Sequence, residues 1–275
     1  MPELPEVEIV RIGLLKSIEG LKITAIKVLN KKLRYPIPKN IEEFFQGKTV
    51  KTICRRAKHG IIVTNADYHF HFHLGMTGTF KIIKEKDFTA EKHDHLIIHL
   101  NNKINLIYSD VRKFGYISLI KKPFDIVNYK KLGHEPSMLN LHMPIVTNIF
   151  CNRKKSIKSL LLDQSIIAGI GNIYANEILF DAKIHPESLS NKISKKNLQK
   201  IFVSTSKIIK KSIKQGGSSI KDYKNPEGNL GYFQNDFTVY GKEGFPCYKC
   251  KSLIKKIKQM GRASYFCPAC QKIYK

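Results

Sequence analysis

At 275 residues and 42% hydrophobic side chains, the chain has material for one or two buried cores, and no apolar run reaches membrane-spanning length. Its 48 basic and 22 acidic residues leave a net charge of +26, which points to a polyanionic partner. Nucleic acid comes before a membrane surface, because no amphipathic anchor or lipidation motif accompanies the charge.

Residues 1–150 carry 24 basic and 14 acidic side chains, and residues 151–275 carry 24 and 8, so the second half is the more basic. Lysine outnumbers arginine 41 to 7. That bias is typical of AT-rich coding, so drift supplies part of the excess but not all of it. The acidic opening "MPELPEVE" is the opposite of a secretory leader, and the expected location is the cytoplasm.

The first element is a helix. Pro5 suits a first helical turn, and carboxylates there offset the positive end of the helix dipole. Val7, Val10, Leu14 and Ile18 follow at helical spacing, and Gly20 marks the stop. This accounts for Pro5, Glu6 and Glu8 but leaves Pro2 and Glu3 without a structural reason.

Residues up to about 120 read as short strands. "YHFHFHL" alternates strictly, with Tyr68, Phe70, Phe72 and Leu74 on one face and His69, His71 and His73 on the other. No carboxylate or fourth ligand stands near those histidines in sequence, so the face reads as polar rather than metal-binding. "TFKIIK", "HLIIHL", "KINLIYSD" and "YISLI" complete the set, and the spacing predicts a sandwich or barrel. "HLGMTG" and "SDVRKFG" place Met76, and then Arg112, Lys113 and Phe114, at turns. A guanidinium and a ring at a loop tip suit insertion into a base stack, although each segment alone also fits a packed turn.

From Leu132 to about Pro144, Gly and Pro break the pattern into a connection. Two helical segments then flank "AGIGN". This is either an ordinary helical hairpin or a turn that captures phosphate, with Asn172 placed to cap the second helix. An amphipathic stretch from about Leu198 to Ile213 ends at "QGGSS".

Cys54 and Cys151 are isolated and read as buried thiols. Cys247, Cys250, Cys267 and Cys270 form C-x2-C-x16-C-x2-C, which suits one tetrahedral, closed, structural zinc ion. Between the pairs lies a basic hairpin with Gly261 and Arg262 near one end.

In this order, "PELPEVE", "KHG", "HLGMTG", "KHDH", "DVRKFG", "LLDQSIIAGIGNIYANEILF", "QGGSSIKDY", "GYFQNDFTVYGKEG" and "GRASYFCPACQ" resemble the formamidopyrimidine-DNA glycosylases, over nearly the whole chain. The resemblance implies an α+β multidomain fold: an N-terminal β-sandwich with flanking helices, a helix-two-turn-helix domain and a C-terminal β-hairpin zinc finger. The corresponding boundaries are 1–133 for the sandwich, 134–149 for a linker, 150–232 for the helical domain with a lesion-capping loop, and 233–275 for the finger.

The same resemblance implies a base-excision enzyme that removes 8-oxoguanine and formamidopyrimidines and then cuts the strand by β,δ-elimination. Removal of Met1 would expose Pro2 as the Schiff-base nucleophile. An α-amino group has a pKa of roughly 8 against roughly 10.4 for lysine, so more of it is neutral at physiological pH. Glu3 is the implied proton carrier, Lys58 the proton donor for β-elimination, and Arg262 a phosphate contact and proton donor for δ-elimination. Glu6, His73, Met76, His93, Arg112, Lys113, Phe114, Lys158 and Asn172 are implied DNA contacts. Of these, Glu6 meets the flipped base, and Met76, Arg112 and Phe114 fill the gap it leaves. The expected partner is damaged duplex DNA, with one structural zinc ion, no membrane, no small-molecule cofactor, and action as a monomer.

Val111 stands where proline is common in the family, and Lys113 and Lys242 where arginine is frequent; lysine keeps the charge but loses bidentate geometry. Two other readings stay open at this level: an endonuclease VIII-type enzyme for oxidised pyrimidines, and a catalytically silent DNA-binding protein.

Overall fold

The computed structural model describes residues 2–121, 131–139, 141–218, 226 and 231–275. The chain forms two compact units, residues 1–130 with 215–234, and residues 131–214 with 235–275.

The first unit opens with helix α1 (Leu4–Ile18), whose Val7, Val10, Leu14 and Ile18 are buried, and Gly20 follows in the left-handed region at φ +79°. Strands β1 (Ile23–Val28), β2 (Val50–Arg56), β3 (His59–Thr64), β4 (His69–His73), β5 (Gly78–Lys84), β6 (Asp94–Leu100), β7 (Ile104–Asp110) and β8 (Tyr116–Ile120) come next, with short helix α2 (Ile41–Phe45) between β1 and β2. They make two four-stranded sheets, in the orders β1-β6-β7-β5 and β2-β3-β4-β8, with every pairing antiparallel.

One core joins the two sheets and α1. Phe70, Phe72 and Leu74 of β4 and its turn meet Phe80 and Tyr108 from the other sheet and Val10 and Leu14 from the helix. The strict alternation of β4 therefore does what it predicts: aromatic rings point inward and the histidines line the opposite face.

The second unit is helical. It contains α3 (Met143–Cys151), α4 (Ile157–Leu162), α5 (Asn172–Asp181) and α6 (Lys195–Lys214), followed by the hairpin β9 (Lys255–Gln259) and β10 (Arg262–Phe266). The segment expected to be a linker, 134–149, is instead built into this unit. His134 pairs with Ile167, Leu139 is fully buried, and Val146 and Phe150 of α3 are buried. Pro144 does not break the chain there; it occupies the first turn of α3, where a missing N–H has no cost. The contacts also assign 215–234 to the first unit rather than to the helical one. Among the described residues, no helix is long and apolar enough to cross a membrane.

Candidate active site and metal centre

The start of α1 explains why acid is concentrated there. Glu3 is the N-cap residue, and its backbone N–H donates to Glu6 Oε2 at 2.8 Å. The other Glu6 oxygen, Oε1, accepts from the N–H of Ser218 at 2.9 Å and from its hydroxyl at 2.8 Å. Glu3 and Glu6 are each 1% exposed, and Pro2 is buried with them. The removal of Met1 and most of the proposed capping loop lie outside the described residues. The stem of that loop is closed, with Tyr232 N–H donating to Gln215 O and Phe233 N–H to Gly217 O.

Glu8 serves a different purpose. Its carboxylate pairs with Arg11 at 2.7 Å and with Arg55 Nε at 2.6 Å. Burial opposes its charge, but the two guanidinium groups outweigh burial and hold its pKa below the ordinary value. Arg55 Nη1 also donates to the carbonyl of Ala57, which sits at φ +53° just before Lys58. A chain of contacts thus runs from α1 to the turn that presents Lys58. Sequence motifs alone single out neither Arg55 nor this chain.

Lys58 leads into a row of histidines. His59 Nδ1 lies 3.0 Å from His71 Nε2, and His71 Nδ1 lies 2.8 Å from Ser118 Oγ. His73 stacks on Tyr116 and accepts the N–H of Gly75 at 3.0 Å, which shapes the turn carrying Met76. Burial, and then the charge of Lys58, lowers His59 to about 4; burial, and then the neighbouring imidazoles, lowers His71 and His73 to about 3. All three are neutral at physiological pH, so the row adds no charge beside Lys58.

Asp110 organises the other half of this site, and sequence reasoning missed it. It is fully buried at the end of β7. Oδ1 accepts from Thr77 Oγ1 at 2.5 Å and from Arg112 N–H at 3.2 Å, and Oδ2 accepts from Gly115 N–H at 2.8 Å. Its own N–H donates to His93 O at 3.0 Å. One residue therefore brings together three segments: its carboxylate holds those bearing Met76 and Arg112 to Phe114, and its backbone N–H holds His93. The two turns touch so closely that a Cβ on Gly75 would stand 2.4 Å from Gly115 N. Arg112 is exposed, with its guanidinium 4.8 Å from the centre of the exposed Phe114 ring. Lys113 takes a left-handed conformation at φ +56°.

In the second unit the functional candidates converge on the finger hairpin. Met260 and Gly261 both have positive φ, which gives the tight two-residue turn that exposes Arg262. The next carbonyl, Ala263 O, accepts from Lys158 Nζ at 2.9 Å and from Asn172 Nδ2 at 3.1 Å. Lys158 also reaches Ser264 Oγ at 2.7 Å and is fully buried. Its ammonium is committed inside the protein, which corrects the expectation that it is a direct DNA contact; it anchors the strand bearing Arg262. Asn172 is likewise not the helix cap: Gly171 holds that position, and Asn172 is the first residue of α5.

Further along α5, the Glu177 carboxylate accepts from Thr238, Val239 and Tyr240 N–H groups at 2.8, 3.0 and 2.9 Å. This fixes the approach to the finger. Sequence patterning does not reveal it.

The sulfurs of Cys247, Cys250, Cys267 and Cys270 all lie within 4.8 Å of one another. Cys250 and Cys267 are 3.3 Å apart, and Cys247 and Cys270 are 4.0 Å apart. These values bracket the roughly 3.8 Å edge of a tetrahedron with zinc–sulfur bonds of about 2.3 Å. None is in a disulfide. The donor set fits one structural zinc ion, with four sulfurs leaving no open position for substrate.

Comparison with known proteins agrees with this geometry. The formamidopyrimidine-DNA glycosylase N-terminal domain matches residues 1–117, the formamidopyrimidine-DNA glycosylase H2TH domain residues 132–224, and the zinc finger found in FPG and IleRS residues 244–273. A formamidopyrimidine-DNA glycosylase of Zymomonas mobilis is 41% identical, covering 99% of this chain and 100% of that protein. The Lactococcus lactis Fpg bound to DNA containing an abasic site superposes with a TM-score of 0.91 at 38% identity, covering 98% and 100%. The same protein bound to DNA containing N7-benzyl-Fapy-dG gives 0.90 at 38% identity, again over 98% and 100%.

Proposed function

The chain belongs to the formamidopyrimidine-DNA glycosylase family, and from that premise we propose a mechanism built on the buried start of α1. It is a DNA glycosylase of base-excision repair with abasic-site lyase activity. The observation that carries the mechanism is the buried Glu3–Glu6–Ser218 cluster, which fixes the start of α1 next in the chain to the buried Pro2.

With Met1 removed, the neutral secondary amine of Pro2 attacks C1′ of the damaged nucleotide. The C1′–N bond breaks and the base leaves with a proton. The sugar ring opens as Glu3 transfers protons at the deoxyribose, giving an iminium on Pro2. That iminium accepts the electrons released when the C2′ proton is lost, so the 3′ phosphate departs, assisted by Lys58. A second elimination releases the 5′ phosphate, assisted by Arg262. No dissociable cofactor is required, because the covalent iminium is the electron sink. Zinc holds the finger and takes no part in the bond changes.

Arg112, Phe114 and Met76 fill the space left by the extruded nucleotide, with Arg112 facing the orphaned cytosine. Asn172 and Arg262 hold the flanking phosphates, while His73, His93 and Lys113 add weaker contacts. Glu6 borders the base. The substrates are 8-oxoguanine and formamidopyrimidines opposite cytosine. The enzyme acts as a monomer in the cytoplasm, on chromosomal DNA.

The test compares excision from 8-oxoguanine·C and thymine-glycol·A duplexes under single-turnover conditions. Faster purine excision is expected. Preference for thymine glycol would instead support the endonuclease VIII-type reading, and binding without excision of either would support a silent binding protein.

A further inference from the structure

The second unit carries a groove that the repair chemistry does not use. It has a volume of about 710 Å³, and its wall includes Lys183, Lys196, Lys200 and Lys272. All four lysines are exposed. Among the described residues, none of them has a carboxylate within ion-pair distance; the one acid lining the groove, Asp181, is already held by Lys207 at 2.7 Å and by Ser204.

The sequence of α6 makes the positive field stronger. Lys195 and Lys196 open the helix with no acid in its first turn, at the end where the helix dipole is itself positive. Lys196 and Lys200 stand one turn apart, where like charges repel. Val203 continues the same stripe and is 55% exposed, an apolar side chain standing among cations. The rest of the lining sets Ala182, Ile184, Tyr274 and the zinc-site Cys270 beside the polar Asn197, Gln199 and Ser204.

Its position separates it from the DNA-contact residues of the same unit. Asp181 and Ala182 lie at the C-terminal end of α5, and Asn172 lies at its start. Ten residues at 1.5 Å rise place the two ends roughly 15 Å apart.

We propose that this groove docks an acidic segment of a partner protein, anchored by an apolar side chain on Val203 and by carboxylates on Lys196, Lys200 and their neighbours. A duplex presents its phosphates on a broad convex surface that does not enter a groove of this size, and it has no use for the exposed valine. A peptide with alternating carboxylates and leucines satisfies both features.

The experiment uses the full zinc-loaded chain, saturated with a short duplex containing an abasic-site analogue so that the DNA-binding surface is occupied. A fluorescein-labelled peptide of Asp and Glu residues with two leucines is titrated in, and anisotropy is read at physiological salt. Binding to the wild-type complex is expected, with affinity reduced at least tenfold in Lys196→Glu/Lys200→Glu and in Val203→Ser. Excision from the short duplex should stay within twofold of wild type in both variants. Failure of the wild-type complex to bind the peptide, or equal binding by wild type and variants, overturns the proposal. So does displacement of the peptide by the duplex. A loss of duplex affinity in the charge-reversed variant, without peptide binding in the wild type, would reassign the groove to nucleic acid.

Discussion

Glu6 and Ser218 stand 212 positions apart, yet a single carboxylate oxygen of Glu6 accepts both the N–H and the O–H of Ser218, at 2.9 and 2.8 Å. The opposite oxygen holds Glu3. The stem of the loop after Ser218 is therefore tied to the residue that follows the proposed nucleophile. Glu6→Gln has one acceptor where three donors converge, and excision should fall at least tenfold while undamaged DNA still binds. Ser218→Ala keeps the backbone bond and should lose less, about 0.5–1 kcal/mol of transition-state stabilisation, or roughly two- to fivefold in rate. Single-turnover excision rates decide it, and equal rates in all three proteins would show that the contact is incidental.

Removing the Asp110 carboxylate should loosen two DNA-facing turns at once, the one bearing Met76 and the one bearing Arg112 to Phe114, while the backbone bond to His93 remains. Asp110→Ala leaves the Thr77 hydroxyl and the Gly115 amide without their carboxylate acceptor, and leaves the Arg112 amide only its 3.0 Å bond to Thr77 Oγ1. The expected cost is about 1–3 kcal/mol in stability, with a larger loss in lesion recognition because Arg112 and Phe114 lose their placement. Urea unfolding and lesion-duplex affinity are the readouts. A variant with wild-type affinity would mean that those turns hold their shape without it.

The histidine row predicts a pH dependence of stability. His59, His71 and His73 have folded values of about 4, 3 and 3 against an ordinary 6.5. Below pH 6.5 the unfolded chain takes up protons at these positions and the folded chain does not. Their contribution is therefore complete above pH 6.5 and is lost progressively as pH falls toward about 3. The thermal midpoint should drop across that window, and His71→Phe should make the slope shallower while lowering the plateau. An unchanged slope in the variant would show that His71 titrates normally.

Loss of zinc should separate the two units in their response. Cys247→Ser or chelation removes one corner of the sulfur tetrahedron and unfolds the finger, so Arg262 is no longer presented and DNA binding is lost. The sandwich has its own core and should keep its resistance to proteolysis. Measured zinc content below one ion per chain in fully active protein would contradict this account.

Much of this fold is legible in residue patterns because it depends on local rules. The alternation of β4, the helical spacing of Val7 to Ile18 and the cysteine spacing each specify one local geometry, and each is observed. Helix α3 was obscured because it is short and Pro144 reads as a breaker unless its first-turn position is known. The supporting residues were hidden for another reason. Arg55 and Glu177 reach Glu8 and Thr238 only through folding, and Asp110, although it opens "DVRKFG", shows its reach to Thr77 only in the folded chain. Lys158 shows the converse: its charge suggests a surface contact, and only the packing of α4 on the finger reveals a buried anchor.

The central claim is that Pro2 forms the covalent bond to the sugar, and borohydride trapping tests it most directly. Protein with a free Pro2 amine, incubated with an 8-oxoguanine·C duplex and sodium borohydride, should yield a stable protein–DNA adduct whose sugar maps to the N-terminal peptide at Pro2. An N-terminally extended chain, in which that nitrogen is an amide, should bind the duplex but neither excise nor trap. An adduct mapping to Lys58, or trapping by the extended chain, would contradict the proline mechanism.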